Sequence, residues 1–190
     1  MINGGMMKQA MYSLNDSMKQ VGREVNVEAV AEIVQGHALT TAVSAAASGV
    51  IPGAGGAIAL GIACTSTIAM YGRLANAMGV RLNNGLIKAV ASAVVADLAA
   101  AVATTVAAAA AISFIPGVGS MASATLVGIT NYGFVYLAGL IFIKMVASLG
   151  VTRIESMTEN EMKAAAKDIQ SGIDIKSAMK EAKASYKANA

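Results

Sequence analysis

Two glycine-rich motifs are the first place to look for chemistry: Ile51-Pro52-Gly53-Ala54-Gly55-Gly56 and Ile115-Pro116-Gly117-Val118-Gly119-Ser120. Such loops cradle phosphates when a strand precedes them and Gly-Lys-Ser/Thr closes them, because backbone amides then converge on the anion. Neither copy is followed by that triplet and neither follows a plausible strand. The P-loop and the dinucleotide fingerprint both fail. His37 is the only histidine and Cys64 the only cysteine, which leaves no ligand set for zinc. Cys64 lies in an apolar run, cannot form an internal disulfide, fits a reducing compartment and reads as a small buried hydrophobe. The acids cluster in the polar ends, so neither a Ser-His-Asp arrangement nor a carboxylate pair is suggested. No catalytic, cofactor-binding or metal-binding residue is expected, and the chain reads as a non-enzyme.

The motifs make better sense as turns. Each sits inside a long charge-free run, from His37 to Arg73 and from Asp97 to Lys144. Proline cannot extend the helix before it, and glycine permits a sharp reversal. Pro52, Gly53 and Gly55 then form the tip of one helical hairpin, and Pro116, Gly117 and Gly119 the tip of a second. Duplication and convergent turn chemistry both remain open as the origin of the repeat.

Composition says what could bury such hairpins. The chain has 190 residues, 56% hydrophobic and 13% charged, with 4% aromatic and no tryptophan. That charged share is about half the usual one. Small residues supply much of the apolar character, as in close-packed membrane helices, although alanine contributes little transfer free energy. The net charge of +3 is spread over the ends and the central loop without aromatic interleaving. Nucleic acid is therefore not expected as a partner, whereas a lipid bilayer with anionic headgroups is. Lys8, Asn15, Asp16, Lys19 and Arg23 interrupt the first residues. That leaves no apolar core for a signal peptide, so insertion would begin with the internal segments.

Three segments follow from this reading. Residues 1–36 form an amphipathic helical segment, with Met7, Met11, Leu14, Met18 and Val21 on one stripe and a break at Gly22. Residues 37–150 hold the two hairpins. The rising arm at 38–50 would cover roughly 20 Å as a helix, short of the bilayer core, so this hairpin is either re-entrant or shielded by its neighbour. Its falling arm sets Gly53, Ala57, Gly61, Thr65 and Ala69 four apart, a small-residue ridge for close helix approach. Asn83-Asn84-Gly85 marks a turn. The second falling arm, 121–143, is the most convincing span, with Ala124, Gly128, Gly133 and Gly139 as small contact positions. Asp97 reads as an interfacial or helix-paired acid, and it and Asn131 are too little polarity for a transporter. Residues 151–190 form a polar tail in which Thr158 and Glu161 make a capping box. Lys176, Lys180, Lys183 and Lys187 make a cationic stripe, equally a solvated face or a membrane-surface contact.

The fold class expected is all-α: two apolar hairpins with Ile-Pro-Gly tips, flanked by amphipathic terminal helices. Two out-and-back excursions put both termini and the bridge on one side, together with Arg73, Arg81 and Lys88 as further membrane-surface contacts. The positive-inside rule makes that side cytoplasmic. The segment from about Val43 to Val146 resembles a domain of unknown function in bacterial membrane proteins of the YcjF type, often joined or adjacent to Era/TrmE-like GTPases. The residues that carry it are Val50-Ile51-Pro52-Gly53, Met70-Tyr71-Gly72-Arg73-Leu74-Ala75 with Gly79-Val80, and Phe114-Ile115-Pro116-Gly117-Val118-Gly119-Ser120. The resemblance implies a helical, membrane-associated module, a bacterial inner-membrane location and a GTPase as partner. No GTPase domain is recognised here, so nucleotide hydrolysis is not carried over. The leading expectation is a self-associating membrane scaffold or remodelling component. The alternatives are a pore- or channel-forming oligomer and a soluble helical adaptor.

Overall fold

The computed structural model describes residues 5–48, 55–102 and 119–189, and every element among them is an α-helix. They are α1 (Gly5–Gln20), α2 (Val27–Ser48), α3 (Gly55–Ala77), α4 (Asn84–Ala101), α5 (Gly119–Leu149), α6 (Val151–Ser156), α7 (Glu159–Ser171) and α8 (Ile175–Asn189). Both tips fall largely outside the described residues, Pro52, Gly53, Pro116 and Gly117 among them. Gly55 and Gly119 open α3 and α5.

Local chemistry sets most boundaries. On α1, Met7, Met11, Leu14 and Met18 turn inward at the three- and four-residue spacing of one helix face. Val21 lies beyond the helix and is exposed. The chain reverses at Gly22 (φ 68°), where the amide of Arg23 donates back to the Met18 carbonyl at 2.9 Å. Asn83 caps α4, its side chain accepting from the Leu86 amide. Thr158 and Glu161 form a complete capping box at α7. Its hydrogen bonds from Thr158, joined by Arg153, hold the Glu161 carboxyl at about 2.

At the centre stands α5. It is apolar on every side, so periodicity gives it no preferred face, and such a helix is stable only when surrounded. From Tyr132 to Ile143 each residue is buried. α2 runs antiparallel along it: Gly139 meets Val34 and Gly128 meets Ala42 and Ala46. α1 and α3 fill two more sides, and α8 packs antiparallel on another through Tyr132–Ser185 and Tyr136–Glu181. α4 leans mainly on α3 and α7, not on α5. Among the described residues, the arms that follow one another as α4 and α5 touch less than α4 touches α3 or α5 touches α2. One core joins Met7 of α1, Val34 of α2 and Ala182 of α8.

That core is graded along its length. At the base end it is bulky, with Tyr71 stacked on Phe142 at 4.5 Å and donating to the Ala138 carbonyl at 3.0 Å. Toward the tips it thins to a small cluster of Ala45, Ala59 and Val127, with Leu126 against it. Small residues bring helices close, and two glycines of α5 show how close. A Cβ at Gly139 would lie 2.8 Å from both Val34 methyls, and one at Gly128 would lie 3.1 Å from the Ala42 carbonyl oxygen. Gly61 is the contrast, with nothing within 4 Å of its added Cβ.

Gly128→Val and Gly139→Val are therefore expected to cost about 1–3 kcal/mol through overpacking against α2. Gly61→Ala should leave stability unchanged or raise it by up to about 1 kcal/mol, as an exposed helical glycine replaced by alanine does. Thermal unfolding followed by circular dichroism measures both.

Candidate membrane-facing half and its boundary

Charge divides α2–α5 into two halves. Glu28 and Glu32 lie in the first turns of α2, Arg73 near the end of α3, Lys88 in the second turn of α4 and Lys144 near the end of α5. The up-and-down packing brings these four helix ends together as the base. Above it the arms carry one charged residue among those described, the exposed Asp97. Three helices are long and apolar enough to cross a membrane: Ile58–Ala77, Asn84–Ala101 and Thr125–Leu149. They differ in cover. The third is 89% buried inside the protein and the other two only 39%. Among the described residues, what surrounds the upper half meets mainly the outer faces of α2, α3 and α4, and on α5 the exposed Thr125.

Those outer faces are built from small residues. Thr40, Val43 and Ser44 on α2 and Ile58, Gly61, Thr65 and Ala69 on α3 are exposed or line a shallow groove of about 670 Å³ between the two helices. Gly61 thus turns its ridge outward, while Gly128 uses its small size within the chain against α2. Ala57 and Ala124 lie within α3 and α5. Gly53 belongs to the undescribed tip.

His37 closes the groove at the height where the charge-free runs begin. Its Nδ1 lies 3.3 Å from Ser66 Oγ, and Arg73 Nη1 lies 3.5 Å from its Nε2. Burial, aided by the Arg73 charge, pushes the imidazole pKa below its ordinary value. Deeper in the same half, Asn131 donates to the Val127 carbonyl at 2.9 Å. Its Oδ1, like the hydroxyl of Thr67, is buried without a partner among the described residues.

The cationic positions form two groups. Arg73, Arg81 and Lys88 surround the α3–α4 connection, and the backbone amide of Arg81 donates to Glu155 at 2.8 Å, fastening that connection to α6. Lys176, Lys180, Lys183 and Lys187 are exposed on α8. Because α8 climbs along α5 until Ser185 reaches Tyr132, its later lysines stand near the boundary between the halves.

A residue without any motif holds the cover in place. Glu181 accepts from the amides of Met6 (2.8 Å) and Met7 (3.1 Å) and from the Tyr136 hydroxyl (3.0 Å). One carboxylate thereby caps the N-terminus of α1 and pins α1 and α8 to α5. The only sequence signal is its neighbourhood, since Glu181 borders the buried stripe of Ala178, Ala182 and Ser185. Among the described residues no three His, Cys, Asp or Glu side chains come together as a metal site.

Comparison with family models, with curated proteins and with solved structures finds no match in any of the three. The likeness to the YcjF-type domain rests on its short motifs alone.

Two outcomes follow from this geometry. Glu181→Ala should destabilise the fold by about 2–3 kcal/mol, as loss of hydrogen bonds to a charged group does. Hydrogen exchange should locate the loosening at the first turns of α1. For His37, the unfolded imidazole binds more protons than the folded one between the lowered pKa and 6.5, so stability falls as pH drops through that window. His37→Gln should flatten this dependence in unfolding measured from pH 7.5 to 5.

Proposed function

We propose that the chain is a non-enzymatic membrane protein of the bacterial inner membrane, its upper half seated in the bilayer and both termini cytoplasmic. Copies associate into a scaffold or membrane-remodelling component. The observation that carries this reading is the one-sided placement of charge on α2–α5. Lys19, Arg23, Arg73, Arg81, Lys88, Lys144 and Arg153 belong to the polar ends and bridge, which suits a cytoplasmic base. The outward Gly61 ridge supports self-association, because helices of separate copies approach closely where side chains are absent. A GTPase partner enters only through the resemblance.

The exposed Thr40, Ser44 and Thr65 in the α2–α3 groove favour a second reading, a pore assembled around this polar strip. Ion leakage from protein-loaded liposomes would support it, and tight liposomes would exclude it.

For the scaffold reading, the protein is expected in the pellet of carbonate-washed membranes, and release to the supernatant would remove it. Gly61→Val should weaken cross-linking between copies several-fold without changing the melting temperature. Monodisperse, lipid-free protein purified without detergent would instead favour a soluble helical adaptor, for which the cover of Tyr132 to Ile143 is already suited.

A further inference from the structure

We propose that the groove between α1 and α2 receives the outer face of α8 from a second copy of this chain, joining protomers head to tail. This rests on the self-association above and assigns it a second contact, at the polar base.

α1 and α2 pack on α5 far more than on each other, so they diverge from their connection and leave a groove of about 560 Å³. Met11, Val27 and Ala31 give it apolar lining, and Tyr12 stands 61% exposed on the α1 side. Tyrosine is the residue type that anchors interfaces, offering a large rigid surface with a polar tip. On the α2 side Glu28 and Glu32 stand one helical turn apart. Neither has an ion-pair partner among the described residues. Lys8 lies on the opposite wall, over the Tyr12 ring at 5.8 Å, so the acids are the charges α2 presents.

The outer face of α8 matches this surface in charge and spacing. Lys176, Lys180, Lys183 and Lys187 are exposed and equally unpaired among the described residues. Lys176 with Lys180, and Lys183 with Lys187, repeat the one-turn spacing of the two glutamates. Ser177 and Ala184 keep the face between them narrow. The inner face of α8 is committed to its own α5 through Met179, Glu181 and Ser185. The outer face can therefore dock without α8 leaving its place. An anionic headgroup layer would suit the lysines as well, but it would repel Glu28 and Glu32. A second copy satisfies both surfaces. Because the two surfaces differ, the contact is heterologous and builds a ring or a filament, not a two-fold dimer.

The test is charge exchange on the full-length protein in mild detergent, read by sedimentation and by carbodiimide cross-linking. E28K/E32K and K180E/K183E should each weaken association by about tenfold or more. The mixture of the two should associate again, the two variants alternating, since the basic groove of one meets the acidic α8 of the other and the unchanged surfaces meet at the next contact. The chain carrying all four changes should associate again. Native protein should yield a Glu28–Lys176 or Glu32–Lys180 amide between copies, as the parallel run of α2 and α8 in like-oriented copies requires, absent from both double variants. Association unchanged in every variant would overturn the proposal, and so would a native protein that is monomeric. Loss only of binding to phosphatidylglycerol vesicles in K180E/K183E would assign the stripe to lipid and overturn it too. Gly61→Val cross-linking reports separately on association through the membrane half, so failure of this contact and failure of self-association are distinguishable.

Discussion

The burial of α5 is the constraint from which the rest of the structure follows. A helix apolar on all sides cannot sit at a protein–water boundary, and each fully buried large apolar side chain contributes roughly 1.5–3 kcal/mol relative to exposure. From Tyr132 to Ile143 that contribution is collected only if neighbours cover the whole circumference. α2 and α3 cover two sides, and the amphipathic α1 and α8 complete the enclosure. The terminal helices are thus part of the core, and their methionine and alanine stripes are the counterpart of the featureless α5 surface. Glu181 shows how this enclosure is fixed at the start of α1, where a helix N-terminus would otherwise leave amides unsatisfied.

How much of this could be read from the sequence depended on whether a residue's role was local. The break at Gly22 and the Thr158–Glu161 box are decided within a few residues, and both were legible, whereas Asn83-Asn84-Gly85 read as a turn and is instead the capped start of α4. The Met7–Met18 stripe was legible too, because a one-sided helix announces its buried face. The exception within that stripe, Val21, fell just past the end that Gly22 imposes. α5 carried no such signal: with every face apolar, nothing in its pattern says that α2 is its main partner or that α4 turns toward α3 and α7. Gly61 and Gly128 have the same sequence appearance and opposite surroundings, one open and one pressed against a backbone carbonyl. Only packing distinguishes them. Glu181 was hidden for a related reason, since its partners lie in α1 and α5, far away in sequence.

The enclosure also changes what a bilayer would meet. From Tyr132 to Ile143 the most hydrophobic helix is already covered by protein, so among the described residues the surface offered by the upper half is mainly that of α2, α3 and α4. Alanine, glycine, serine and threonine dominate it, and these residues gain little from lipid per unit of surface. Asp97 adds an exposed charge there, and a charge facing lipid is unfavourable. A single copy surrounded by lipid would thus gain little and bear that cost.

The same surface behaves differently when it meets another helix. Small side chains are poor lipid ligands but allow backbones to approach, so dispersion contacts accumulate over the full length of a helix pair. A hydroxyl or a carboxylate on such a face can find a partner across the contact, which lipid cannot supply. The outward α2–α3 groove and the outward ridge at Gly61 therefore weigh toward association within the proposed membrane arrangement. Close packing of further helices around an already satisfied core gives the upper half a reason to be small-residue and mildly polar, where an isolated hairpin would need leucine and isoleucine on its outer face.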